Sequence, residues 1–219
     1  MTYLIPNKVL WSGAQRNITL RGDVSAHVRL RDLKSSQDLY AVGPQAELVG
    51  EVTVFDSHPY VARIESGWPK LDENWNVGAC FLAYASVPNW QKIEDANGIS
   101  NLLDLESALP NIAETVGIDV SRPFTFIFEG RVDEVAYHIV NRTEDLPHNE
   151  ERHEAIKARL GLERETVRGV GFYSQYHGGI FIPKGRQIHV HFVASTSETA
   201  GHVDAIKFGS SFSLFLPRV

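Results

Sequence analysis

The sequence Gln-Ile-His-Val-His-Phe at residues 187–192 is the stretch around which the rest of the chain can be organised. β-Branched and aromatic residues dominate it, which is typical of a β-strand. Side chains alternate between the two faces of a strand, so His189 and His191 lie on one face and Ile188, Val190 and Phe192 on the other. The stretch therefore predicts a strand with one apolar face that packs in a core. Its opposite face carries two imidazoles that could bind a metal or take part in catalysis.

A third histidine follows in Gly-His-Val at residues 201–203, after a polar loop at residues 195–200. Gly201 is expected to let the chain turn back into an antiparallel strand, which would bring His202 beside the first pair. Three imidazoles with an open fourth position are typical of a catalytic zinc site, although nickel, copper or iron would also accept imidazole. A His-x-His pair on such a strand is also often two half-exposed surface histidines, and this alternative remains open.

Composition limits the class of protein and of partner. The chain has 219 residues, 43% hydrophobic and 22% charged, with a formal net charge of −6 and scattered basic residues. These values are ordinary for a soluble globular protein and favour a small-molecule partner over a nucleic acid or a membrane. The one cysteine, Cys80, lies in an apolar run, and the first eight residues lack the apolar segment of a signal peptide. We therefore expect a cytoplasmic protein.

The first half of the chain predicts strands and one main helix. Residues 47–56 predict a strand that turns into a second one at residues 60–64, and the apolar run at residues 77–85 predicts a central strand. Residues 101–117 have helical spacing with Gly117 as the stop, and Pro110 could divide this helix into two.

The second half is predicted to be β-rich. Residues 123–130 and 132–140 predict a strand pair or meander, and residues 149–160 a charged, solvated helix. Five further strands are predicted, at residues 169–173, 179–182, 187–194, 203–208 and 212–216. Many strands with few helices indicate an α+β protein built largely of antiparallel or mixed sheet. We place a boundary after residue 145, between an N-terminal sheet region (1–145) and a C-terminal β-rich region (146–219), which could also form one compact domain.

Taken together, these segments resemble the α-acetolactate decarboxylase family. Residues 188–192 and 201–203 resemble its two zinc-binding segments, with His189, His191 and His202 in the positions of the ligands. Residues 48–52, Leu-Val-Gly-Glu-Val, resemble its Leu-x-Gly-Glu strand, which places Glu51 in the active site. Residues 171–173 and 182–185 resemble the segment that leads into the strand at residues 188–192.

The resemblance implies a fold, a cofactor and a reaction. The fold would be two packed β-sheet regions with zinc in the cleft on the C-terminal sheet, commonly in a homodimer. The reaction would convert 2-acetolactate, or a similar 2-hydroxy-3-oxo acid, to acetoin and CO2. Zinc would stabilise the charge left when CO2 departs, and Glu51 would handle the proton. Without the resemblance, Glu51 reads as a solvated strand position.

Two features of the sequence depart from the family pattern. The resemblance implies an active-site arginine at the position of His138, and imidazole cannot form the bidentate fork that arginine offers a carboxylate. Arg142, four residues on, is an uncertain substitute. The resemblance also implies a glutamate from a C-terminal tail, but no acidic residue follows Asp204. Two alternatives stay open: a divergent zinc enzyme acting on another small oxo or hydroxy acid, and a non-catalytic protein that binds a metal or small ligand.

Several other side chains have both a structural and a functional interpretation. His138 could be a core or surface histidine, an acid–base or substrate-binding group, or an extra metal ligand. His177 could line the cleft but also suits a loop, and Tyr173 could offer its hydroxyl to the site or pack in the core. His148 and His153 flank the charged helix and are expected to be solvated.

Overall fold

The computed structural model describes residues 4–94, 96 and 98–219, so the first three residues of the predicted N-terminal region lie outside the described residues. The α-helices are α1 (Gln15–Arg21), α2 (Leu102–Thr115) and α3 (Glu150–Ala155). The strands are β1 (Leu10–Ser12), β2 (Val28–Arg29), β3 (Leu39–Pro44), β4 (Glu51–Phe55), β5 (His58–Glu65), β6 (Trp68–Asp72), β7 (Gly78–Ala79), β8 (Leu82–Ser86), β9 (Trp90–Lys92), β10 (Phe124–Val140), β11 (Lys157–Tyr173), β12 (Ile188–Ala194), β13 (Thr199–Phe208) and β14 (Ser213–Pro217). None of the helices in the described part of the chain is long and apolar enough to cross a membrane.

The strands form two six-stranded antiparallel sheets. The first has the order β1-β8-β3-β4-β5-β6 and the second β11-β12-β13-β10-β14-β9, and a short β2–β7 pair lies apart from them. Strands β10 and β11 also pair with each other, which closes β10, β11, β12 and β13 into a ring. The predicted α+β class with two packed sheets and few helices is confirmed.

Three apolar clusters hold the layers together. Leu105 and Leu109 of α2 pack with Phe126, Val190 and other residues of the second sheet. A second cluster includes residues from both sheets, among them Val42 and Phe172, and a third lies around Val52 and Val54 of β4. Alternation along β4 therefore turns its valines to one core and leaves its odd-numbered residues for the second sheet.

The main helix and the N-terminal hairpin follow the sequence closely. The side chain of Asn101 caps α2 by accepting from the backbone N–H groups of Leu103 and Asp104, and Gly117 has a positive φ of 85° just past its end. Pro110 does not divide the helix, which continues to Thr115. Strand β4 begins only at Glu51 because Glu47 and Leu48 have positive φ angles in a short 3₁₀ turn.

The region around residue 145 differs most from the prediction. Residues 124–140 form one strand rather than two, and α3 ends at Ala155 because the backbone from Lys157 onward pairs with β10. Gly161, which directly follows the predicted helix, lies inside β11. The run at residues 77–85 is interrupted between β7 and β8, and residues 179–182 form a turn with a single bridge.

The predicted boundary after residue 145 falls between two strands of the same sheet. Strands β9 and β10 precede the boundary and belong to the second sheet, so the assignment of β10 to an N-terminal sheet is wrong. The division into two domains stays a prediction.

Candidate metal centre

Three histidines converge on the face of the second sheet that is turned toward the first. His189 and His191 lie two residues apart on β12, and His202 lies directly opposite His191 on β13. One ligand nitrogen from each can be chosen such that all lie within 4.8 Å of one another. The turn that brings His202 into place is made by residues 195–198, whereas Gly201 lies within β13. A β-carbon at Gly201 would come within 2.7 Å of the Tyr137 ring, so this glycine provides room rather than a turn.

Hydrogen bonds fix two of these imidazoles through their Nδ1 atoms. Nδ1 of His189 donates to the backbone carbonyl of Phe181 at 2.7 Å, and Nδ1 of His191 lies 2.9 Å from Oγ1 of Thr53. In both rings Nε2 is left for another partner. Nε2 of His191 is buried and has no hydrogen-bond partner among the described residues. Oriented imidazoles with one nitrogen held by an outer partner fit a metal ion such as zinc.

Burial keeps the three imidazoles in the form that binds metal. Burial is the largest cause that lowers the pKa of His189 to about 4, and it holds the pKa values of His191 and His202 well below their usual value. A buried cation loses its hydration, so the neutral ring is favoured. The site therefore presents neutral imidazoles at neutral pH, and these bind a metal without first releasing protons.

Glu51 lies across the cleft from these histidines. It is the first residue of β4 and is 3% exposed, and its Oε2 lies 3.7 Å from Nε2 of His191. Its Oε1 accepts a hydrogen bond of 3.3 Å from the backbone N–H of Val140. Burial raises the pKa of this carboxyl to about 8. The sequence alone favoured a solvated residue here, but the structure brings Glu51 into the metal centre.

His138 extends the row of imidazoles onto β10. It lies opposite His202 with the ring centroids 4.5 Å apart, and its Nδ1 is 2.8 Å from Oδ1 of Asp204. Ligand atoms of His138, His202 and Asp204 also lie within 4.8 Å of one another. His138 therefore also has one ring nitrogen held by an outer partner, and it lies beside the other three histidines. Asp204 and Thr53 were missed from the sequence, although each lies two strand positions from a predicted site residue.

A cavity of about 60 Å³ opens onto this centre, which suits only a small molecule. Glu51, His138, His189 and His202 line it, together with His153 and Lys157 among others. Lys157, which the sequence did not suggest, is the one lining residue in the described part of the chain with a lysine or arginine side chain.

Three other candidates lie outside this lining. The ring of Tyr173 is buried and stacks on Phe124 in the core at 4.8 Å. His177 contacts Ser174 through Nδ1 at 2.7 Å and packs against Trp11. Arg142 pairs with Asp145 at 2.7 Å and lines a separate surface depression.

His148 and His153 are buried rather than solvated, so that expectation is wrong. Each is 8% exposed, and Nε2 of His148 lies 3.2 Å from Nδ1 of His153. Burial lowers the pKa of His153 to about 4 and also lowers that of His148. Helix α3, which contains His153 and which His148 precedes, lies against α1.

Comparison with known proteins agrees with this geometry. The family model for alpha-acetolactate decarboxylase matches residues 17–215. The fold is similar to that of alpha-acetolactate decarboxylase from Bacillus subtilis strain 168, with 16% identity, a TM-score of 0.76, and 97% of this chain and 86% of that chain covered. A protein of unknown function from Staphylococcus aureus, described as similar to alpha-acetolactate decarboxylase, matches at 12% identity with the same TM-score and coverage. No curated protein matches the sequence.

Proposed function

Because the chain belongs to the alpha-acetolactate decarboxylase family, we propose that it is a zinc-dependent decarboxylase. Its substrate would be 2-acetolactate or a similar 2-hydroxy-3-oxo acid, and its products acetoin and CO2. The observation that carries the proposal is the meeting of three neutral histidines, of which His189 and His191 are buried and His202 is partly buried, with a buried carboxyl of raised pKa.

His189, His191 and His202 would hold the metal through imidazole nitrogens. The unpartnered Nε2 of His191 supports this assignment, because a buried nitrogen without a partner otherwise costs free energy. A zinc ion held there would supply a Lewis acid for the oxygens of the substrate. Thr53 and the carbonyl of Phe181 would keep the rings turned toward it.

Glu51 would deliver the proton that the reaction consumes. Loss of CO2 leaves an electron pair on the adjacent carbon, which must accept a proton to give the product. With its pKa raised to about 8, the Glu51 carboxyl holds a proton at neutral pH. It would donate that proton to the carbon and regain one from water afterwards.

His138 would act beside Glu51 on the substrate. The carboxylate of Asp204 accepts a hydrogen bond from Nδ1 of His138. The other ring nitrogen, Nε2, therefore points away from Asp204. His138 lines the cavity, so this nitrogen would hydrogen-bond to a substrate oxygen. Asp204 is a positioning residue in this arrangement.

A second candidate is a divergent zinc enzyme of the same fold that acts on another small oxo or hydroxy acid. The observation that favours it is His138, at the position where the family resemblance implies an arginine. The size of the cavity agrees with either small substrate. A cytoplasmic location, a homodimer and roles for Tyr173 and His177 stay predictions.

The test is acetoin formation from racemic 2-acetolactate by zinc-loaded protein. The proposal predicts turnover in the wild type and its loss in His191→Ala, together with about one zinc per chain in the wild type alone. A wild type that binds zinc and yields no acetoin would contradict the leading function. Product analysis with other small 2-hydroxy acids would then test the second candidate.

A further inference from the structure

Lys157 is a partly buried cation that lines the cavity of the metal centre. It is the first residue of β11, directly opposite Val140, and its side chain is 16% exposed. Lysine side chains are rarely this buried unless a charged partner or a ligand holds them. The same cavity is lined by Glu51, His138 and His202, so the ammonium group shares it with the reacting groups.

The partner that Lys157 contacts in this structure is not dedicated to it. Nζ of Lys157 pairs with Glu154 at the end of α3, whose side chain is 56% exposed. Arg159 contacts the other carboxylate oxygen of Glu154 at 2.9 Å. Glu154 would therefore keep a cationic partner if Lys157 turned to a ligand.

The charge of Lys157 acts on the interior of the cavity. It helps to lower the pKa of His153, which also lines the cavity, although burial is the largest cause of that shift. An anion in the cavity would experience the same positive charge. His138 is a weaker anchor for an anion, because Asp204 already occupies its Nδ1.

We propose that Lys157 binds the carboxylate of the substrate and so selects small anionic 2-hydroxy acids. This inference rests on the proposed function. The carboxylate oxygens stay beside the ammonium group until CO2 departs, so this contact would hold the bound substrate and the transition state about equally. Lys157 is therefore expected to control KM much more than kcat.

Binding of two matched ligands tests the proposal without turnover. 2-Hydroxyisobutyrate is a small 2-hydroxy acid, and 2-hydroxyisobutyramide has the same shape without the charge. Binding of each to zinc-loaded wild type, Lys157→Met and Arg159→Met would be measured by calorimetry. Because a hydrogen bond to a charged group contributes about 1.5–3 kcal/mol, Lys157→Met should weaken binding of the acid by about tenfold to about a hundredfold. Its affinity for the amide should stay within about threefold of wild type.

Arg159→Met is the matched control, since it removes the other cation that contacts Glu154 from an exposed position outside the cavity lining. It should bind both ligands as the wild type does. Lys157→Arg keeps the charge and should restore at least part of the affinity for the acid. Equal weakening of acid and amide in Lys157→Met, unchanged binding of the acid, or no binding of the acid by wild type would each overturn the proposal.

Kinetics separate this inference from the proposed function. With 2-acetolactate, Lys157→Met should raise KM by about tenfold or more with kcat within about threefold of wild type. Acetoin formation with an unchanged KM in the variant would overturn the role of Lys157 and leave the decarboxylase function intact. Charge-selective binding without acetoin formation in the wild type would support Lys157 and overturn the decarboxylase function.

Discussion

The chain contains two groups of buried histidines that differ in one respect. His148 and His153 contact each other through ring nitrogens, and neither has a buried nitrogen without a partner among the described residues. In the metal centre, Nδ1 of His191 is held by Thr53 while its buried Nε2 has no partner. The comparison teaches that burial and a lowered pKa do not by themselves identify a metal ligand. The unpartnered Nε2 of His191 is the feature that separates the two groups.

The largest difference between the two groups is expected in zinc affinity, when one histidine of each group is replaced by alanine. His191→Ala should lower zinc affinity by more than about a hundredfold and abolish turnover, because even changes to outer partners of metal ligands cost about 10–100-fold. His148→Ala should keep the zinc content of wild type. Metal analysis after dialysis makes the comparison, and zinc loss in both variants would remove the distinction between the groups.

Loss of the proton donor should come next in size. Glu51→Gln should lower kcat by about 10²–10⁴-fold, the usual contribution of a positioned acid or base. Zinc content should be unchanged, because the metal is assigned to the histidines alone. Steady-state kinetics and metal analysis on the same preparation check this, and intact turnover would remove Glu51 from the mechanism.

The outer partner of His191 should matter less than His191 itself. Thr53→Val preserves the shape of the side chain and removes the hydroxyl near Nδ1. Zinc affinity should fall by about 10–100-fold. Competition with a chelator of known affinity measures this, with Thr125→Val as a control because Thr125 is equally buried but not near the centre. Equal losses in both would show a packing effect instead.

The second group should contribute to folding rather than to chemistry. His148→Ala leaves Nδ1 of His153 without its partner, which should lower the free energy of unfolding by about 1–3 kcal/mol. Urea unfolding of the zinc-loaded protein measures the change. A variant as stable as wild type would contradict the structural role assigned to the pair.

The last effect, and the smallest per pH unit, is a pH dependence of the free energy of unfolding in metal-free protein. In the folded protein Glu51 keeps its proton up to a pH of about 8, whereas in the unfolded chain it releases the proton near its usual pKa of 4.5. Between these values the folded state binds more protons, so the contribution of Glu51 is fully present below pH 4.5 and is lost as pH rises through about 8. The difference in unfolding free energy between wild type and Glu51→Gln should change by about 1 kcal/mol per pH unit in this window. A difference that does not vary with pH would contradict the raised pKa.

The sequence predicted the elements of the site whose pattern is local. Alternation placed His189 and His191 on one face, and the short loop to His202 brought the third imidazole to them, because neighbouring strands joined by a tight turn pair with each other. The stop of α2 was also visible as a single residue, Gly117.

What the sequence could not predict depends on contacts between distant strands. The pairing of β10 with β11 ends α3 at Ala155 and brings Lys157 opposite Val140, yet the residues 149–160 viewed alone suit a charged helix. Leu160 and Leu162 alternate as in a strand, and the strand predicted at residues 169–173 covers only the C-terminal end of β11. The burial of Glu51 likewise comes from the packing of one sheet on the other, and only the family resemblance indicated it.

The hydrogen bond between Thr53 and His191 joins a strand of the first sheet to a strand of the second. Glu51 and the proposed metal ligands thus belong to different sheets, and their alignment depends on how the two sheets pack against each other. A small shift of one sheet relative to the other would separate Glu51, the proposed proton donor, from the reacting carbon while every strand remained intact. Heating should therefore abolish turnover before the secondary structure is lost. Turnover would then report early on a loosening of the contact between the two sheets.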